Sequence, residues 1–159
     1  MSALRAIQLA IDMAERQRDQ VARELAAALQ NQLAASGQKD MLEAYARETE
    51  SKWIARAQAA TSPELMRHHY QFLAKLDQAI VFQQGVIRNH VDRVAQVRHD
   101  LMEAEQKLAR FKHIFTARQA EAIKLQNRRE QKQADEWASR MRGPQKRHLD
   151  AEEVLWVSN

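Results

Sequence analysis

Cysteine is absent from the 159 residues, and glycine and proline together fill only five positions. Without cysteine there is no disulfide and no thiol nucleophile, and a reducing compartment is the natural setting. A sheet protein needs a turn every ~8–12 residues. Five turn-formers cannot supply them, so all-β and α/β folds are excluded. Aromatic residues are scarce at 6%, while 29% of the chain is charged, which points to a thin helical core rather than a ball. Long apolar runs are missing as well. The longest, residues 25–29, has five residues, far short of the ~20 that a membrane-spanning helix requires. The first residues lack the basic-then-apolar layout of a secretory signal, so the expected setting is the cytoplasm.

What the chain does hold is helix-forming. Alanine occurs 27 times and glutamine 18 times, and both sit well in helix interiors. The few turn-formers mark the joints. In Ala60-Thr61-Ser62-Pro63-Glu64, Ser62 suits a helix cap, Pro63 the first helical position and Glu64 the positive end of the helix dipole. Gly143-Pro144 is the second expected break. Gly37 and Gly85 lie inside helical patterns and are places where a helix can bend. The expectation is one helix over about 3–60, a turn at 61–62, a second helix over about 63–142, and a short tail over 145–159.

Both stretches repeat every seven residues. Alternating steps of three and four through the first helix visit Leu4, Ile7, Ile11, Ala14, Arg18, Val21, Leu25, Ala28, Gln32, Ala35, Lys39, Leu42, Ala46, Thr49 and Trp53, of which eleven are apolar. In the second helix, Met66, Leu73, Ile80, Ile87, Val94, Leu101, Leu108, Phe115 and Ala122 follow at strict sevens, with a mixed row from His69 to Leu125 beside them. A repeat held this long drives left-handed supercoiling against a partner helix. The short joint turns the second helix back on the first, which gives an all-α fold: a long antiparallel two-helix coiled-coil hairpin over residues 1–144. The second helix is the longer one, so its C-terminal part is expected to run on as a single helix. That part is basic: residues 125–148 carry seven Lys or Arg against three Asp or Glu, and residues 149–159 carry three acids and no base.

No catalytic constellation is present. The glycines are isolated, so there is no phosphate-binding loop, and no nucleophile has a base beside it. His68 and His69 point about 100° apart on a helix, and His69 and His90 lie roughly 31 Å apart along it. Neither pair could hold a metal ion, and no metal, cofactor or enzymatic activity is expected. Two features invite partners instead. Phe72, Ala79, Val81, Phe82 and Val86 add apolar surface outside the seam, which either Tyr45 and Trp53 cover near the bend or another protein covers as a docking face. Phe72, Leu76, Ala79 and Gln83 share one stripe at i, i+4, i+7 and i+11. Arg128, Arg129, Lys132, Arg140 and Arg142 could meet acidic loops of a protein, an anionic membrane or nucleic acid, although Asp135 and Glu136 interrupt a plain phosphate-binding strip.

The segment Gln126-Asn127-Arg128-Arg129-Glu130-Gln131-Lys132-Gln133-Ala134-Asp135-Glu136-Trp137-Ala138-Ser139-Arg140 resembles the C-terminal signature of the FliJ family, flagellar type III export stalk proteins. Ala14-Glu15, Met41-Leu42 with Tyr45, and Gln71-Phe72-Leu73 leading to Leu76, Ala79 and Ile80 are similar too. The resemblance covers about residues 3–142. It implies a fold like the central stalk of a rotary ATPase. It also implies a non-enzymatic role: inserting into the flagellar export ATPase hexamer, promoting its assembly and activity, coupling it to the export gate membrane protein through that protein's cytoplasmic domain, and helping export chaperones. Such a protein would sit in the cytoplasm, peripheral at the inner membrane through its partners, with no nucleic-acid role. By the same resemblance, Phe72, Leu76, Ala79 and Gln83 would face the gate, where Gln83 replaces the family's His. Asn127, Arg128, Gln131, Lys132, Asp135, Glu136, Trp137 and Arg140 would face the ATPase ring. The alternatives from charge and periodicity are a basic coiled coil for nucleic acid or anionic membrane, and the equivalent stalk of a virulence-type secretion system.

Overall fold

The computed structural model describes the backbone of residues 2–157 and the side chains of residues 2–143. Two helices make up the chain, α1 over Ser2–Ala57 and α2 over Pro63–Val157. They pack against each other as a helical hairpin, and no strand occurs among the described residues.

The joint is built as its sequence suggests, and it is longer than the two residues expected. α1 ends at Ala57, so the connection takes residues 58–62. The last turn tightens, with the Ala59 amide donating to the Arg56 carbonyl at 3.0 Å and the Ala60 amide to the same oxygen at 3.2 Å. This satisfies terminal carbonyls without a left-handed glycine; no described residue takes positive φ. On the far side the Leu65 amide donates to the Ser62 hydroxyl oxygen at 3.2 Å, and the Met66 amide donates to the Ser62 carbonyl at 3.1 Å. Ser62 thus caps α2, with Pro63 and Glu64 in its first turn.

The internal glycines break neither helix. α1 runs unbroken through Gly37 and α2 through Gly85. The Gly143-Pro144 break does not appear either, because the α2 backbone stays helical to Val157. One proline removes one N–H donor, and at an exposed site water can serve the carbonyl left over. The expected tail over 145–159 is therefore helical backbone through 157. Its side chains, and residues 158 and 159, lie outside the described residues.

By compactness the chain divides into one unit of residues 11–109 and another of residues 1–10 with 110–159. Within the first unit the register is legible from side-chain pairs. Ala35 meets Gln83, Tyr45 meets Phe72, and Trp53 meets His69. The α1 position climbs while its α2 partner falls, so the helices run antiparallel. The core of this unit is a narrow seam: Ile11, Ala14, Ala28 and Ala35 from α1, and Leu76, Val94, Val97, Ala104 and Leu108 from α2. Only Val97 is wholly enclosed, at 0% exposure. Two helices can close around one residue at a time, and the alanines of α1 let them approach.

In the second unit Leu4, Ile7, Phe111 and Phe115 are half-buried, and Phe115 borders a hollow with Leu4 and Leu9. Beyond it, every residue over 116–137 is exposed.

Candidate partner-binding surfaces

The gate-facing stripe that the sequence suggests is split by the fold. Leu76 is buried at 8% exposure and Gln83 at 9%. Both occupy the row that α1 covers. Ala79 is half-buried, and Phe72 keeps 38% of its surface in solvent. The Gln83 amide nitrogen donates to the Ala35 carbonyl at 3.0 Å and to Gln38 Oε1 at 3.1 Å. Gln83 therefore ties α2 to α1 and shows little of itself to a partner.

What faces solvent here comes from both helices. Tyr45 meets Phe72 edge to face, with ring centroids 6.1 Å apart and planes at 83°. An open hollow beside this pair is lined by Gln38, Met41, Leu42, Tyr45, Glu48 and Gln83, and Met41 is 73% exposed. Phe82 and Val81 are also largely exposed on α2. Tyr45 thus covers part of the apolar surface noted in the sequence and leaves part open. Trp53 lies lower, stacked on the buried His69 with centroids 4.3 Å apart. His69 lines the seam and belongs to no metal cluster; none exists among the described residues.

The α1 half of this surface is the part that sequence reasoning missed. Gln38, Leu42 and Tyr45 follow i, i+4 and i+7, the spacing that also marks Phe72, Leu76 and Ala79. Two such stripes joined by an antiparallel register make one surface. The signal was the register, which a scan of either helix alone cannot supply.

The second surface is the exposed part of α2. Asn127, Arg128, Gln131, Lys132, Asp135, Glu136, Trp137 and Arg140 are all exposed, and Trp137 shows 66% of its surface. At about 100° per residue, Asn127, Gln131 and Asp135 share one side. Arg128, Lys132, Glu136 and Arg140 lie progressively further round, and Trp137 closes the circle. The helix is polar on nearly every side, with a Gln126–Glu130 hydrogen bond at 3.4 Å along it. Isolated helices of this kind draw their stability from such spaced pairs.

Residues 4–147 match the family model described as Flagellar FliJ protein. The chain belongs to the FliJ family. The match takes in both helices, the split stripe and the exposed basic segment, and it leaves residues 148–159 outside. Membership makes this FliJ-family chain a protein associated with flagellar export. No curated protein and no solved structure matches the chain. Among the described residues no helix is long and apolar enough to cross a membrane.

Proposed function

We infer that the chain is a non-enzymatic stalk of the flagellar type III export apparatus. In this reading the exposed segment of α2 inserts into the export ATPase hexamer and favours its assembled, active conformations. ATP hydrolysis belongs to the ring, and the stalk acts by shifting which ring states are populated. The observation that carries the reading is the run of exposed residues over 116–137, which holds the family signature on all sides of one helix. A flat partner would read one face. A ring surrounds its occupant and can use every face, with Arg128, Lys132 and Arg140 meeting acidic loops and Asp135 and Glu136 meeting basic ones.

The same reading assigns gate binding to the aromatic surface. Phe72 and Ala79 offer contact area together with Tyr45 and Met41, while Leu76 and Gln83 act from within by fixing the register that brings those groups together. Export chaperones would be further partners. Attachment at the membrane would come through the gate protein's cytoplasmic domain.

The test is the ATP hydrolysis rate of the export ATPase with and without this protein, and with a chain truncated before residue 125. A rise with the full chain that is lost on truncation, at unchanged hairpin helicity, supports the stalk. An equal rise with both chains removes the C-terminal segment from the contact. Binding to non-specific DNA or anionic vesicles, falling steeply with salt, would favour the basic-module alternative.

A further inference from the structure

The seam of α2 does not stop where burial stops. The alternating steps of three and four that place Phe111 and Phe115 half in the seam continue through residues that are all exposed up to Trp137. From Leu125 onward the rows read Leu125, Arg129, Lys132, Glu136, Ser139, Gly143, Lys146, Asp150, Glu153 and Val157. The backbone is helical across this whole stretch.

Read from both ends, this row complements itself. Leu125 answers Val157, Arg129 answers Glu153, Lys132 answers Asp150, Glu136 answers Lys146, and the small Ser139 answers the small Gly143. Every charged position has the opposite charge in its mirror position. In an antiparallel coiled coil the two seam rows of one helix face each other's counterparts in the partner, so these mirror positions are the ones that a second, antiparallel copy brings into contact. A two-fold axis near residue 141 makes all five layers form twice, as an isologous interface demands.

We propose that two copies of this chain associate antiparallel through residues 125–157 of α2, with the acidic stretch 150–153 of each lying against Arg129 and Lys132 of the other. The partner half of this interface lies mostly beyond residue 147, outside the family match, so self-association is a property added by the extension. Three acids near a helix C-terminus are unfavourable to the helix dipole, and a second copy's basic side chains relieve that. The interface is charge-built, with an apolar layer only at each end. Exposed ion pairs contribute little each and are screened by salt, so the dimer is weak and salt-sensitive. It also covers the face of Arg129, Lys132 and Glu136. Association and capture of that face by any third protein therefore compete. The inference rests on the charge order along the seam and does not depend on the stalk reading.

The experiment is sedimentation of the full chain at about 50 mM and about 500 mM salt, spanning Debye lengths from well over to well under 10 Å. Dimer at low salt and monomer at high salt is expected. The variant D150K/E153K places like charges opposite Arg129 and Lys132, and R129E/K132E does the same with the other sign. Each alone should associate at least about ten-fold more weakly, while an equal mixture of the two should form the heterodimer. Because the chain has no cysteine, Arg142→Cys beside the axis should cross-link under mild oxidation, and Ala120→Cys, far from it, should not. A monomer at low salt, a dimer indifferent to both charge reversals, or equal cross-linking at 120 and 142 would overturn the proposal. Circular dichroism confirms that each variant keeps its hairpin. Failure here would leave ring stimulation untouched, and loss of ring stimulation would leave the dimer standing.

Discussion

The side-chain amide of Gln83 reaches across the seam and donates to the carbonyl oxygen of Ala35 at 3.0 Å, 48 positions away in the chain. A polar side chain in an otherwise apolar row fixes register more than it adds stability. The Ala35 oxygen already serves the α1 ladder, and Gln38 can turn to water, so removing Gln83 strands no buried group. Gln83→Leu is expected to unfold within about 1 kcal/mol of the native chain, whereas Gln83→Ala should lose about 1–2 kcal/mol through the void it leaves. Thermal melts followed by circular dichroism read both. A Leu variant less stable than the Ala variant would make the hydrogen bond itself the stabilising element.

Phe72 and Leu76 are one helical turn apart and should behave oppositely. Leu76 is sealed in the seam, and its truncation to Ala should lower stability by about 2–3 kcal/mol. Phe72→Ala and Tyr45→Ala remove an exposed edge-to-face pair and should cost about 1 kcal/mol each. If the aromatic surface docks the gate, these two variants lose gate binding at near-native melting temperature. Gate binding that follows melting temperature across all three would mean that the surface acts only through stability.

The contrast between Phe72 and Leu76 also shows what the sequence could and could not tell. Each of the fifteen seam positions read along α1 is buried or half-buried, and the α2 rows hold from His69 to Phe115. A seven-residue repeat is written in side-chain types, so it survives without coordinates. Phe72, Leu76, Ala79 and Gln83 have the spacing of a surface stripe and also of a seam edge. Only the angle to the second helix separates the two, and that angle comes from tertiary packing. The same limit hid Tyr45 and Gln38 as the α1 side of the surface. The joint was misjudged by three residues because α1 closes on amide-to-carbonyl bonds at Arg56 and needs no glycine to announce its end.

Gly37 and Gly85 offer a direct gain in stability. A Cβ built at either meets nothing within 4 Å, and neither has positive φ. Alanine at each should therefore raise stability by up to about 1 kcal/mol, through lower unfolded-state entropy and better helix propensity. Melting temperatures of the single and double variants check this, and the two effects should add because the sites share no partner. A drop at position 85 would indicate that α2 needs to bend there.

Trp137 should separate binding from folding more cleanly than any other residue. It is 66% exposed, in a stretch where all neighbours over 116–136 are exposed as well. A large aromatic side chain in water contributes little to the fold, so Trp137→Ala should shift stability by less than about 0.5 kcal/mol. Tryptophan is also the residue type most often found to dominate a protein interface once its surface is covered. If the ring encloses this helix, covering that much apolar area should contribute about 2 kcal/mol or more, and the half-maximal concentration for ATPase stimulation should rise at least about ten-fold in the variant. Trp137→Phe, which keeps most of the apolar surface, should recover much of the loss. Stimulation unchanged by Trp137→Ala would leave the charged side chains of the signature as the ring contact and remove Trp137 from it.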